Sequence, residues 1–326
     1  MKTILVIHTG GTIAMQKNQQ TGGVSLSAAN PLSAWDHSLP EGIDVITEHF
    51  LGIPSPHMTP AHMVELYHFL SKRMKETNAY GAVITHGTDT LEETAFVLDL
   101  LHADRDTPIV ITGAMRSSNE LISDGPHNFI SALRTALSDA SRGRGVLAVM
   151  NDEIHEAREV TKTHTTNLAA FSSPNSGPVG AIRNNSVIFH HPPHQTKSLF
   201  TVTRLNKTVP LLKTYSGMDP AILQYFLSQP IDGLVLEAMG AGNVPPALTN
   251  DIRAFIERDI PVTLASRCPS GAVQPIYSYE GGGKYLEDLG VILCGSLNGV
   301  KARLIIMAAL ESGAATDEIQ YIMRDF

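Results

Sequence analysis

Only two cysteines, Cys268 and Cys294, and a single tryptophan occur in the 326 residues. Neither cysteine belongs to a CxxC or to a Cys/His cluster of zinc-site spacing, which excludes a disulfide-built fold and a cysteine zinc centre and favours free thiols. No uninterrupted apolar run reaches the roughly 18 residues that a membrane span requires. The amino terminus also lacks the basic region, apolar core and small-residue cleavage site of a secretory signal, because Lys2-Thr3-Ile4-Leu5-Val6-Ile7-His8 already has the composition of a strand. A soluble, cytoplasmic protein is expected. Cations are few, 24 Lys+Arg against 32 Asp+Glu for a formal charge of −8. That balance works against attraction to nucleic acid or to an anionic membrane, and it favours a small-molecule partner. Nucleotide-binding signatures are missing too, since Gly10-Gly11 fits neither G-x-G-x-x-G nor G-x-x-x-x-G-K-[ST].

What the chain does contain is 43% hydrophobic residues, arranged as short Val- and Ile-rich runs separated by helix-period segments. That rhythm indicates an α/β fold of parallel strands covered by helices on both faces. Buried strands are predicted at Thr3–His8, Ala82–Thr85, Pro108–Thr112, Gly145–Met150, Gly233–Glu237 and Pro261–Ala265. Helices are predicted after Thr59-Pro60, with Met63, Leu66, Leu70 and Met74 on one face, along Leu91, Ala95, Leu98 and Leu101, and after Pro126. A last amphipathic face carries Val300, Leu304, Ile305 and Ala308 and ends near Gly313. Between about Asn184 and Lys213 the rhythm lapses. The length predicts two domains, a large N-terminal one over 1–189 and a smaller C-terminal α/β one over 213–326, with 190–212 as the connection. His190, His191 and His194 lie in that connection among prolines and without a carboxylate partner, so a solvated linker is favoured over a metal site.

Three segments carry chemistry. His8-Thr9-Gly10-Gly11-Thr12 places glycines and a hydroxyl at the carboxyl end of the first strand, where ligands bind in open α/β sheets. His86-Gly87-Thr88-Asp89-Thr90-Leu91-Glu92-Glu93 repeats the arrangement after the next buried strand. Asp89 or Thr90 there has a simpler reading as a helix cap, with Glu93 completing a capping box. A second Gly-Thr pair at a second strand end instead points to two hydroxyls facing one small polar ligand, with glycine N–H groups close enough to hold an oxyanion. A threonine hydroxyl is a poor nucleophile without a base or a cation beside it. Lys162, in Val160-Thr161-Lys162-Thr163, is the candidate, either as a surface charge or as a lysine whose burial makes it a base.

These segments, together with Gly113-Ala114-Met115-Arg116, Ser123-Asp124-Gly125-Pro126, Met150-Asn151-Asp152, Gly240-Ala241-Gly242-Asn243 and Ser266-Arg267, resemble the bacterial L-asparaginases of the threonine-nucleophile superfamily in order and spacing over nearly the whole chain. The resemblance implies a doubly wound, mostly parallel sheet in a large N-terminal domain with a smaller C-terminal α/β domain, hydrolysis of L-asparagine to L-aspartate and ammonia without metal or organic cofactor, and homotetramers built as dimers of dimers. It implies Thr12 as nucleophile, Thr88 with Asp89 and Lys162 as a second hydroxyl relay, and Ser55 with Asp89 holding the substrate's α-carboxylate and α-amino groups beside Gly11 and Gly87. Two routes share these residues, an ester formed on Thr12 or direct attack by water assisted by Thr88. Related readings are a broader glutaminase-asparaginase and the amidase-like component of a tRNA-dependent amidotransferase. From another class, a binding protein on the same sheet would dispense with Thr12 and Thr88.

The chain departs from the family in three places. Gln16–Gly23 contains no lid tyrosine, Pro56 and His57 follow Ser55 where many relatives have a polar amide, and the acid donated by a neighbouring subunit has only Glu280 or the tyrosines near it as counterparts. A pocket wall discriminates one methylene by only about 1–3 kcal/mol, so stronger selection between asparagine and glutamine must come from where the head group is anchored. Pro56 offers no side-chain hydrogen bond to an amino group that shifts to fit the longer substrate. The sequence thus predicts a strong preference for asparagine with weak affinity. A kcat/KM for glutamine within about tenfold of that for asparagine would contradict it.

Overall fold

Four consecutive apolar residues, Ile4 to Ile7, lie fully buried in strand β1 (Lys2–Gly10), which is covered on both faces as a central parallel strand must be. The computed structural model describes residues 2–18, 21, 23–26, 42–102, 106–193 and 200–324. The chain divides into two units, Met1–Leu199 and Phe200–Phe326.

In the first unit β1 is followed by a short hairpin of β2 (Met15–Lys17) and β3 (Val24–Leu26), then by β4 (Ile43–Ile53). Helix α1 (Pro60–Thr77) starts where Thr59 accepts a hydrogen bond from the His62 amide and ends at Asn78, which turns into the left-handed region at φ 49. Alternating strands and helices follow, β5 (Gly81–Thr85), α2 (Leu91–Leu101), β6 (Ile109–Thr112), α3 (Gly125–Leu137) and β7 (Val146–Met150). Strand β8 (Glu153–Glu156), the two-residue β9 (Thr161–Lys162) and β10 (Phe171–Ser172), then β11 (Gly180–Arg183) and β12 (Ser186–Phe189), complete the unit.

The main sheet has the order β12-β11-β8-β7-β6-β5-β1-β4. Pairing from β4 through β1, β5 and β6 to β7 is parallel, whereas β8, β11 and β12 join antiparallel. Leu66 and Leu70 of α1 and Leu91, Ala95 and Leu98 of α2 pack on one face, and Phe129, Ala132 and Leu133 of α3 pack on the other, as a doubly wound sheet requires. β9 and β10 form a separate two-stranded ladder.

The second unit is a smaller α/β layer. Its sheet, in the order β13-β14-β15-β16, comprises β13 (Leu211–Lys213), β14 (Leu234–Ala238), β15 (Val262–Ser266) and β16 (Ile292–Leu293), all parallel. Helices α4 (Ala221–Leu227), α5 (Thr249–Ile256), α6 (Gly283–Asp288), α7 (Gly299–Glu311) and α8 (Thr316–Met323) accompany it. Leu234, Leu236, Leu264, Ile252 and Phe255 make its core.

Two expectations need correction. The stretch 184–213 is not wholly irregular: β12 pairs with β11 through a two-residue turn at Asn184-Asn185, both at positive φ (48 and 65), the geometry of a type I′ hairpin. It also contains the whole of β13. The face bearing Leu304 and Ile305 is not the last helix, because α8 follows Gly313 and buries Ile319 and Met323. Within the expected linker His194 lies outside the described residues, and among those described no group of three His, Cys, Asp or Glu side chains is placed to hold a metal.

β1 is where the winding changes direction. The chain passes from β1 to β4 on one side and then returns past β1 to place β5 on the other. Loops leaving β1, β4 and β5 at their carboxyl ends therefore open around a common crevice, the position at which such sheets bind ligands.

Candidate active site

Two glycines bring the strand ends together. A Cβ added at Gly10 would lie 2.5 Å from the Ile53 carbonyl oxygen at the end of β4, and one added at Gly11 would lie 2.3 Å from the Cα of Gly87. Both residues have positive φ, 104 and 82, so glycine is required twice over. A Cβ on Gly87 would in turn meet Cβ and Oγ of Ser55 at 2.6 Å. Gly11 and Gly87 are thus in backbone contact with Ser55 beside them, and Thr12 and Thr88 each follow one of these touching glycines. Thr12 opens a 3-10 turn, Thr12–Ala14, and is half-buried. Thr88 is only 7% exposed and packs its methyl group against Gly113, the residue that ends the β6 loop contact.

Lys162 closes the arrangement from β9. Its Nζ donates to Thr88 Oγ1 at 2.9 Å and to Asp89 Oδ1 at 2.7 Å. The lysine side chain is 14% exposed while that of Asp89 is 59% exposed, so a mostly buried lysine is paired with a carboxylate that faces solvent. The surface-lysine reading is thereby displaced. Asp89, Lys162, Thr163, His164 and Thr165 line an open cleft of about 290 Å³, at the lower end of the range for small-molecule sites.

The capping reading of Asp89-Thr90 is displaced as well. Thr90 does stand at the N-cap of α2, but its side chain makes no cap bond and instead donates to the Ser55 carbonyl at 2.8 Å. The Asp89 amide donates to Ser55 Oγ at 3.2 Å. Ser55 is buried in the 3-10 turn Ser55–His57, held by both contacts.

Further polar contacts support these elements, and of their residues Asn128 escaped the sequence reading. Asn128, buried in α3, donates to the Gly113 carbonyl and to Asp124 Oδ2, both at 3.0 Å, and accepts from the Asn151 amide at 3.0 Å. Asn151-Asp152, both at positive φ, is the tight turn between β7 and β8. Glu92 Oε2 accepts from Thr161 Oγ1 at 2.7 Å, tying α2 to β9. In the second unit Glu280 accepts from Thr249 Oγ1 at 2.8 Å, and the rings of Tyr277 and Tyr279 stack at 5.3 Å. Of the stretch Gln16–Gly23, Gln19, Gln20 and Gly22 lie outside the described residues.

A half-buried hydroxyl, a lysine-bonded second hydroxyl and a carboxylate at the switch point of a doubly wound sheet define the class: an α/β protein equipped for acyl transfer on a small molecule. The chain belongs to the asparaginase family. The family described as "Asparaginase, N-terminal" matches residues 3–195, and "Glutaminase/Asparaginase C-terminal domain" matches 208–323. A probable L-asparaginase of Deinococcus radiodurans is 37% identical over 98% of this chain and 96% of its own. L-asparaginase 2 of Escherichia coli is 33% identical over 100% of this chain and 94% of its own. The crystal structure of a probable cytoplasmic L-asparaginase from Campylobacter jejuni superposes with a TM-score of 0.88 at 29% identity, covering 99% of each chain.

Two histidines flank the crevice at the strand ends. His86 is wholly buried, with Nδ1 at 2.7 Å from the Gly87 carbonyl and Nε2 at 3.0 Å from Thr94 Oγ1. A carbonyl only accepts, so Nδ1 carries the proton and the neutral ring accepts from Thr94. Burial pushes His86 down from 6.5 to about 4. Burial, with the neighbouring His49, does the same to His8. Both rings are neutral in the folded chain at pH 7, whereas the unfolded chain takes up these protons below about 6.5. Stability from this source is therefore complete above pH 6.5 and is lost as pH falls toward 4. The thermal midpoint should drop steadily through that window, and less steeply in His86→Gln. An identical slope in wild type and variant would refute the assignment of His86 as a buried neutral base.

Proposed function

We propose that this chain hydrolyses the side-chain amide of L-asparagine to L-aspartate and ammonia, with Thr12 as nucleophile. The observation that carries this reading is the pair of hydrogen bonds from Lys162 Nζ to Thr88 Oγ1 and Asp89 Oδ1, beside a strand end where Gly11 touches Gly87.

In this reading Thr12 Oγ1 attacks the amide carbon while its proton passes to the amide nitrogen. The C–N bond then breaks, ammonia leaves, and an aspartyl ester remains on Thr12. Water adds to the ester carbon, a proton returns to Thr12 Oγ1, and aspartate is released. Because the ammonium occupies an acceptor position of Thr88 Oγ1, the Thr88 O–H is left to donate toward the reacting groups. The positive charge of Lys162 favours the anionic transition state, and its small exposure strengthens that effect relative to water. Asp89 holds the lysine in place and offers its solvent-facing carboxylate to the substrate's α-amino group. Ser55 Oγ accepts from the Asp89 amide and so has its own O–H available for the α-carboxylate. The Gly11 and Gly87 backbones form the floor under the ligand. We further infer a cytoplasmic homotetramer, a dimer of dimers. The likeness to the Campylobacter jejuni structure supports the compartment, and among the described residues no helix is long and apolar enough to cross a membrane.

Thr12→Ala should leave less than about a tenth of wild-type kcat for asparagine, a barrier rise exceeding about 1.4 kcal/mol, with the fold retained. Lys162→Met keeps bulk and removes charge, so kcat should fall by about a hundredfold or more while KM stays close to wild type. Ammonia release measured at steady state decides both, and near-normal kcat in either variant removes that residue from its role.

A further inference from the structure

β9, the strand that delivers Lys162, is only two residues long and stands outside the main sheet, among the described residues pairing with β10 alone in a ladder of its own. Its backbone cannot by itself hold an ammonium at hydrogen-bond distance from two groups on another loop. Val160, Ala170 and Phe171 share a buried cluster with Leu91, Ala95 and Leu98 of α2, and a polar contact with that helix comes from the residue preceding Lys162. Thr161 Oγ1 donates at 2.7 Å to Glu92 Oε2 in the first turn of α2, three positions beyond Asp89 in the chain. Both partners are half-buried, and a hydroxyl-to-carboxylate bond is of the stronger, charge-assisted kind. The same N-terminal turn also grips Ser55 through Thr90 and the Asp89 amide.

We propose that Glu92, acting through Thr161, is a positioning residue for Lys162: the Glu92–Thr161 bond fixes β9 against the start of α2 so that the ammonium stays seated between Thr88 and Asp89. This rests on the role given to Lys162 above. Neither Glu92 nor Thr161 needs to meet substrate. Their loss should therefore appear in kcat, where the placement of the reacting groups is felt, and hardly in KM.

The test uses the full-length protein with asparagine. Thr161→Val and Glu92→Ala should each lower kcat by about tenfold or more with KM within about threefold of wild type. Thr161→Ser and Glu92→Gln, which retain a donor and an acceptor, should recover to within about threefold of wild-type kcat. The double variant Thr161→Val/Glu92→Ala should be no slower than the slower single variant, because one bond is lost in all three. Multiplied losses, single variants within about twofold of wild type, or a serine variant as slow as the valine one would each overturn the proposal. Lys162→Met assayed alongside separates the two readings. A slow Lys162→Met with a normal Thr161→Val removes only Glu92 and Thr161 from their role, whereas a normal Lys162→Met removes the function assigned to Lys162 itself.

Discussion

The backbone contact between Gly11 and Gly87 is the constraint on which the rest of the site depends. Neighbouring parallel strands hold their backbones nearly 5 Å apart, and the loops that leave them ordinarily diverge. Here a single added carbon on Gly11 would sit 2.3 Å from Gly87, and one on Gly87 would sit 2.6 Å from Ser55. No side chain fits between these loops, so the hydroxyls carried by the next residues are gathered into one crevice. Gly10 makes the same demand against Ile53 of β4, which clamps the end of β1 on both sides.

Electrostatics then divides the crevice. His8 and His86 are neutral because burial removes the water that would solvate their charge. The cation at the site is Lys162, and it reaches Thr88 from outside the sheet with a carboxylate on its solvent side. Lys162 thus lies mostly out of solvent beside the Thr88 hydroxyl and is paired with Asp89 on its solvent side.

Much of this was legible in the sequence, for reasons that differ by element. β1, β5, β6, β7, β14 and β15 stood out because strands buried on both faces need continuous Val, Ile and Leu runs. β4 did not, since an edge strand carries Asp44, Thr47, Glu48 and His49 among its apolar residues and pairs only with β1. The hairpin of β11 and β12 was hidden in an Asn-Asn turn that lacks the usual glycine. Thr12, Thr88, Asp89 and Lys162 were readable from strand-end position and from family resemblance, whereas Ser55 rested on the resemblance alone. The Glu92–Thr161 bond left no local trace, because its partners are 69 residues apart and each has an ordinary explanation in its own segment.

If the Gly11–Gly87 approach creates the site, the kcat for asparagine of Gly11→Ala set beside that of Gly52→Ala shows it. A Cβ at Gly52 would meet nothing within 4 Å, so the same substitution one strand away is a control for the loss of a glycine. The account predicts a drop of about a hundredfold or more for Gly11→Ala and a value within about twofold of wild type for Gly52→Ala. A Gly11→Ala protein that turns over asparagine as fast as its Gly52→Ala counterpart would contradict it.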